Sequence, residues 1–279
     1  MQVRAARIVI LAILIGIGVS HVVFAIRDWP LGDMDVYLGA AARLRDGEPL
    51  YVAGDVAVNS FWYAPWYAVV WVPLTYLPRE VVAVAWSAVL LGAAAAVCWM
   101  LARESRTAVI LAVLIGPPLV AVSAGGNVQA IMLLTLLVGL HRKWGPLAVA
   151  AAASLKFTPI LFVLVYVARR EWWRAGASLL LAAVLLVPSY LMGITRAGVQ
   201  SEAAPSLIGL SPVLYGAVIV IASAVVLVVP PRHAALAAAT AAVLALPRLF
   251  VYDATLVASG LAKPITDAEA ERRHPRSGP

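Results

Sequence analysis

The sequence predicts an all-α polytopic membrane protein, a helical bundle with about eight to ten spans, and two observations carry that prediction. Of 279 residues, 63% are hydrophobic and only 13% charged, roughly half the charged share of an average soluble domain, about 25%. Apolar stretches long enough to cross a hydrocarbon core roughly 30 Å thick recur from end to end. Within lipid every backbone N–H and C=O must be paired internally, which leaves helices or a closed barrel. Barrel strands alternate apolar and polar residues. The runs Ile8–Ile17, Val81–Leu91 and Ser178–Val187 do not alternate, so the spans are helical.

In chain order the first span covers 7–27, with Arg4 ahead of it and Arg7 at its start. It is long for a signal-peptide core and no small-x-small cleavage site follows it, so it reads as an uncleaved span with a cytoplasmic N-terminus. Residues 28–60 hold Asp28, Asp33, Asp35, Asp46, Glu48 and Asp55 against Arg43 and Arg45, a net charge of −4. With the arginines of the N-terminus inside, this acidic loop is expected on the outer face. The remaining spans are expected at 61–78, 81–101, 107–124, 127–141, 145–168, 174–193, 212–230, 234–247 and 248–262. Residues 1–262 form a single transmembrane domain, and the polar segment 263–279 a disordered tail. Strict alternation of these spans strains after the third. It would put Arg103, Arg106, Arg142 and Lys143 outside, unless an earlier segment is re-entrant.

The net charge of +7 does not indicate nucleic-acid binding. The cations sit in short clusters between spans, such as Arg169–Arg170–Arg174, where they fix topology and meet lipid headgroups. Membrane lipid is the expected partner, and nucleic acid is not. The single cysteine, Cys98, lies in an apolar run and has no intramolecular disulfide partner. His21, His141, His233 and His274 are scattered. No metal cluster or cofactor motif is evident, and metal dependence stays open.

Five segments carry chemistry-bearing residues. Residues 34–45 can form a short amphipathic helix with Tyr37, Ala41 and Leu44 on one face, for which Asp33 is a natural N-cap. The same Asp33, with Asp35 beside it, could serve as a general base toward a hydroxyl. Phe61–Tyr67 has five aromatics in seven residues. Its simplest reading is an interfacial belt, with Tyr63 available to a sugar or lipid in a cleft. Gly125-Gly126-Asn127-Val128-Gln129 sets two amides between apolar runs, where unpaired polar groups are costly. Lys156 stands in the middle of a long apolar stretch three residues before Pro159. There it snorkels or holds an anion such as a lipid phosphate. Arg248 and Asp253 lie five residues apart in apolar surroundings, as a structural pair or as the lining of a polar cleft.

These motifs, in this order, resemble the polyprenyl-phosphate-sugar-dependent glycosyltransferases of family 87, membrane enzymes of the GT-C fold. The matching elements are D-x-x-V-Y at Asp33–Tyr37, G-x-x-L-Y at Gly47–Tyr51, the aromatic-proline segment Phe61–Pro65 and the turn Gly126-Asn127. Lys156–Pro159, the basic-aromatic Arg169–Trp173 and P-x-x-x-x-Y-D at Pro247–Asp253 complete the set. The resemblance implies a GT-C-like bundle and Asp33 as catalytic carboxylate, with Asp35 as the neighbouring alternative. The donor would be a polyprenyl-phosphate sugar, often mannose in this family, and the acceptor a lipid or glycan outside the cytoplasm. Lys156, Arg248, Asn127, Gln129, Tyr37, Tyr63 and Asp253 are the candidate donor-phosphate or substrate contacts. The chain is short for the family and Asn127 stands where glutamine is common. A transporter or flippase of lipid-linked or anionic substrates, and a degenerate non-catalytic relative, are the competing classes.

Overall fold

A computed structural model describes residues 29–52, 61–103, 106–194 and 207–261. The expected first span at 7–27 and the tail at 263–279 lie outside the described residues. The fold is all-helical, without a strand among the described residues. Helix α1 covers Gly32–Arg45. A short α2 at Pro65–Trp71 runs on into a 3₁₀ turn at Val72–Tyr76. Two long helices follow, α3 at Arg79–Ala102 and α4 at Arg106–Ala124. Next come α5 at Gln129–Gly139 and α6 at Gly145–Leu155. A 3₁₀ segment at Thr158–Phe162 leads into α7 at Val163–Ala168, and α8 covers Trp172–Leu191. The one-turn α9 at Leu207–Leu210 precedes α10 at Pro212–Val228 and α11 at Ala234–Leu244. A 3₁₀ helix at Val251–Gly260 ends the described chain.

Among the described residues two helices, α3 and α8, are long and apolar enough to cross a membrane unaided. Both leave most of their apolar surface uncovered by protein, as lipid contact requires. The other apolar helices are 10–17 residues long. An 11-residue helix such as α5 or α6 reaches about 16 Å, half a hydrocarbon core. Three of the expected spans are not continuous helices. The 61–78 segment is the seven-residue α2 plus its 3₁₀ turn, because Pro73 follows closely on Pro65 and tightens the chain. The 145–168 segment breaks at Lys156, whose backbone is extended at φ −140°, ψ 125°. Pro159 has no N–H for the carbonyl four residues back, so α6 stops at Leu155. The 248–262 segment is a 3₁₀ helix.

These breaks change which end of the bundle each turn reaches. The seven-residue α2 and its 3₁₀ turn do not carry the chain to the far end of the bundle, so α3 starts at the same end as α1, where Arg79 pairs with Asp35. It therefore runs away from α1 and carries Arg103 to the opposite end. Helices α4, α5 and α6 then alternate, α7 returns, and α8, α10 and α11 alternate again. The turns 140–144, 169–171 and 229–233 gather at one end. There Tyr166 and Arg174 donate to the Leu140 carbonyl and Arg169 donates to the Pro231 carbonyl. That end and the α3–α4 turn hold eight of the described Lys and Arg residues and a single acid, Glu171. The opposite end holds five basic and six acidic residues among those described.

Small residues make the bundle tight. Eight of the eleven residues of α6 and seven of the eleven of α11 are buried, mostly alanines that let backbones approach. At Gly260 a Cβ would fall 2.3 Å from Leu236 Cα, so only glycine fits where the last 3₁₀ helix crosses α11.

Candidate active site

The α4–α5 turn is the seat of the site. Gly126 takes φ +87°, and a Cβ there would meet the Met34 backbone nitrogen at 2.8 Å. The chain before α1 docks on this turn, with Leu31 N–H donating to Ala124 O (3.0 Å) and Asp33 N–H to Gly125 O (2.8 Å). Unpaired carbonyls at the end of α4 thus accept from unpaired N–H groups at the start of α1. Trp86 Nε1 donates to Gly126 O at 2.9 Å and locks the turn to α3.

That docking delivers the Asp33 side chain to Asn127, whose Nδ2 donates to Asp33 Oδ2 at 2.6 Å. Asn127 Oδ1 accepts from the Gln129 backbone N–H at 3.0 Å, which fixes the amide so that its NH₂ faces the carboxylate. Asp33 is therefore not an N-cap. Helix α1 begins after Leu31 in the left-handed region, with no side-chain cap. The expected cap gave way because the Asp33 side chain turns to Asn127 while its own N–H donates to Gly125 O.

Beyond Asn127 the polar chain continues. Gln129 is fully buried; its Oε1 accepts from Lys156 Nζ at 2.9 Å and its Nε2 donates to Thr255 Oγ1 at 3.2 Å. Lys156 Nζ also pairs with Asp253 Oδ1 at 2.8 Å, with side chains only 17% and 3% exposed, and lies over the Tyr252 ring at 4.7 Å. Asp253 Oδ2 accepts from Phe250 N–H at 2.9 Å. So Lys156 does not snorkel, and Asp253 pairs with it rather than with Arg248. Arg248 is half-buried near Tyr252 and has no ion pair or hydrogen bond among the described residues. Four segments of the chain meet here because a buried lysine requires both a counter-charge and an acceptor.

The aromatic segment packs inward. Tyr37 OH donates to Tyr63 OH at 2.9 Å, and the Tyr37 ring contacts Tyr63, Tyr67, Trp71 and Trp86 with centroids 4.9–6.3 Å apart. Phe61, Tyr67 and Trp71 are buried, so this is a wall beside the carboxylate rather than a belt toward lipid. Trp66 Nε1 reaches Ser154 Oγ at 3.2 Å, joining that wall to the end of α6. Burial pushes the Asp33 carboxyl above its ordinary value of 3.8, while the Asn127 hydrogen bond and the Lys156 charge hold it down. The outcome is a stronger base than a solvated aspartate, already aligned by an amide. Asp35 is different: it faces solvent in a two-pronged pair with Arg79 at 2.8 Å. No three His, Cys, Asp or Glu side chains gather as a metal set among the described residues.

Glycosyltransferase family 87 matches residues 61–259 of the chain, more than half its length. The chain belongs to that family. No curated protein and no solved structure matches it. As a family 87 member the protein is a glycosyltransferase, and its exposed apolar helices associate it with the membrane. The matched region contains Asn127, Gln129, Lys156, Arg248 and Asp253, whereas α1 and Asp33 precede it. Asp33 joins the matched region through its bond to Asn127 and its backbone docking on the α4–α5 turn. Trp86 and Thr255 were missed in the sequence. Nothing distinguishes them there from other interfacial tryptophans and core hydroxyls.

Proposed function

We propose that this glycosyltransferase moves a sugar, mannose by family resemblance, from a polyprenyl-phosphate donor to a hydroxyl of a lipid or glycan acceptor. The observation that carries the reading is the 2.6 Å contact that orients the buried-edge carboxylate of Asp33. The acceptor O–H gives its proton to Asp33 as its oxygen bonds the anomeric carbon. The bond from that carbon to the phosphate breaks, and polyprenyl phosphate leaves with the electron pair. Arg248 is the better partner for the departing phosphate, since its charge is uncommitted while that of Lys156 is matched by Asp253. Lys156 instead positions Gln129 and, through it, Asn127, and its field keeps Asp33 ionised. The half-buried Tyr63 and Trp66 offer ring faces to a sugar, whereas Tyr37, fully buried, backs the wall and does not reach a substrate. The end opposite the site, with eight cations and one acid among its described residues, supports transfer on the outer face, since a cytoplasmic surface is rich in Lys and Arg. In that orientation the protein is multi-pass and the 28–60 segment is extracytoplasmic.

The buried Lys156–Asp253 pair is also what a substrate pathway in a transporter contains. Proteoliposomes holding the purified chain, a polyprenyl-phosphate sugar labelled in the sugar and a membrane extract as acceptor source separate the two. Label recovered in a new glycosidic bond supports transfer. Intact labelled donor carried to the other leaflet, without a new bond, supports transport and overturns the reading.

A further inference from the structure

The end of the bundle remote from Asp33 carries a second set of residues that sugar transfer does not use. Lys143 in the α5–α6 turn, Arg170 in the α7–α8 turn and Arg232 in the α10–α11 turn are all exposed. Arg169 bridges the three turns by contacting His141 Nδ1 at 2.9 Å and the Pro231 carbonyl at 3.4 Å. Neither contact supplies a negative charge. Among the described residues, Arg232 Nε contacts only its neighbour His233, at 3.1 Å. Glu171, the sole described acid here, is engaged by Arg174 at 2.7 Å. Beside the cations, Trp144, Trp172 and Trp173 are 45%, 64% and 82% exposed. Trp172 opens α8, one of the two membrane-length helices, so the patch sits where a spanning helix leaves the hydrocarbon.

We infer that this three-turn surface is a binding site for the phosphate headgroups of anionic phospholipids. A cluster of cations in excess of acids attracts a negative leaflet, and exposed tryptophans at the same level favour the border between hydrocarbon and headgroups. A free phosphate would use the cations and leave the rings unexplained. A lipid headgroup uses both. Arg169 sets the spacing of the three turns, and Lys143, Arg170 and Arg232 supply the charge that meets the lipid.

The test uses the full chain in neutral detergent, with short-chain phosphatidylglycerol, short-chain phosphatidylcholine and inorganic phosphate titrated separately. Thermal unfolding is followed by tryptophan fluorescence. The site predicts a rise in Tm of about 5 °C with saturating phosphatidylglycerol, and none with the other two. The triple variant Lys143→Gln/Arg170→Gln/Arg232→Gln should bind phosphatidylglycerol at least about tenfold more weakly with unchanged sugar transfer. Arg170→Lys/Arg232→Lys should retain the response. An equal response to phosphatidylcholine, or to inorganic phosphate, overturns the lipid assignment. So does an undiminished response in the triple glutamine variant. Each of these results is read without reference to sugar transfer and stands apart from the fate of the proposed reaction.

Discussion

Replacing Lys156 with methionine removes one half of a buried ion pair and leaves the other half in place. Asp253 is 3% exposed, and of its two oxygens only Oδ2 would keep a donor, the Phe250 N–H. Removing one partner of a buried pair costs about 3–5 kcal/mol, because the remaining charge is uncompensated. The residual 17% exposure of Lys156 and the retained Phe250 bond place Lys156→Met at the lower end, about 3 kcal/mol. For a chain of this size that corresponds to a fall in Tm of about 6–12 °C. Lys156→Met/Asp253→Leu removes both charges and strands only neutral groups, so it should recover much of the loss. The assay is thermal unfolding of detergent-purified single and double variants, combined as a double-mutant cycle. The pair predicts a coupling of at least about 2 kcal/mol. Single-variant effects that add to within about 0.5 kcal/mol would refute it and return Lys156 to a snorkelling role.

Asn127→Ala removes the hydrogen bond that lowers the Asp33 carboxyl while leaving burial to raise it. The acid limb of kcat/KM, set above 3.8 in the parent protein, should therefore move to still higher pH; a shift to lower pH would contradict the geometry. By the same sign, the stabilising contribution of Asp33 is full below 3.8 and is lost as pH rises through its folded value, so parent stability should not gain over that window. Gly126→Ala, at φ +87° with 2.8 Å to the Met34 nitrogen, should lose at least about 1 kcal/mol and most of the activity by displacing α1; unfolding and transfer measured on the same sample check this. With Cys98 replaced by Ala, single cysteines at Val52 and at Lys143 should react with an impermeant maleimide in intact cells at Val52 alone. Labelling at Lys143 alone would invert the proposed topology.

The helical class was legible because composition reports the solvent, and the apolar runs of α3 and α8 are long enough to read directly. The broken segments were not. Hydropathy averages over Pro73 and Pro159, so 61–78 and 145–168 look like spans although neither holds a continuous helix. At the site, costly polar residues in apolar runs pointed to Asn127, Gln129, Lys156 and Asp253. All four converge with Asp33 in one network. Which charge meets which was hidden. Arg248 is nearer to Asp253 in sequence, yet a chain reversal at 247–250 gives that carboxylate to Lys156, 97 residues away. The inward turn of Phe61–Tyr67 was equally hidden, because an aromatic run reads alike whether it faces lipid or a neighbouring helix such as α1.

The central claim is that Asp33 takes the acceptor proton, and Asp33→Asn addresses it most directly. The substitution keeps size and leaves the two backbone bonds that dock α1 on the α4–α5 turn. General-base catalysis contributes about 10²–10⁴-fold, so the account predicts a drop of that order in sugar transfer from labelled polyprenyl-phosphate donor. Tm should be retained, and Asp35→Asn, which touches only the exposed Arg79 pair, should stay near parental activity. Parental transfer by purified Asp33→Asn would contradict the account, and loss confined to Asp35→Asn would move the base two residues along the chain.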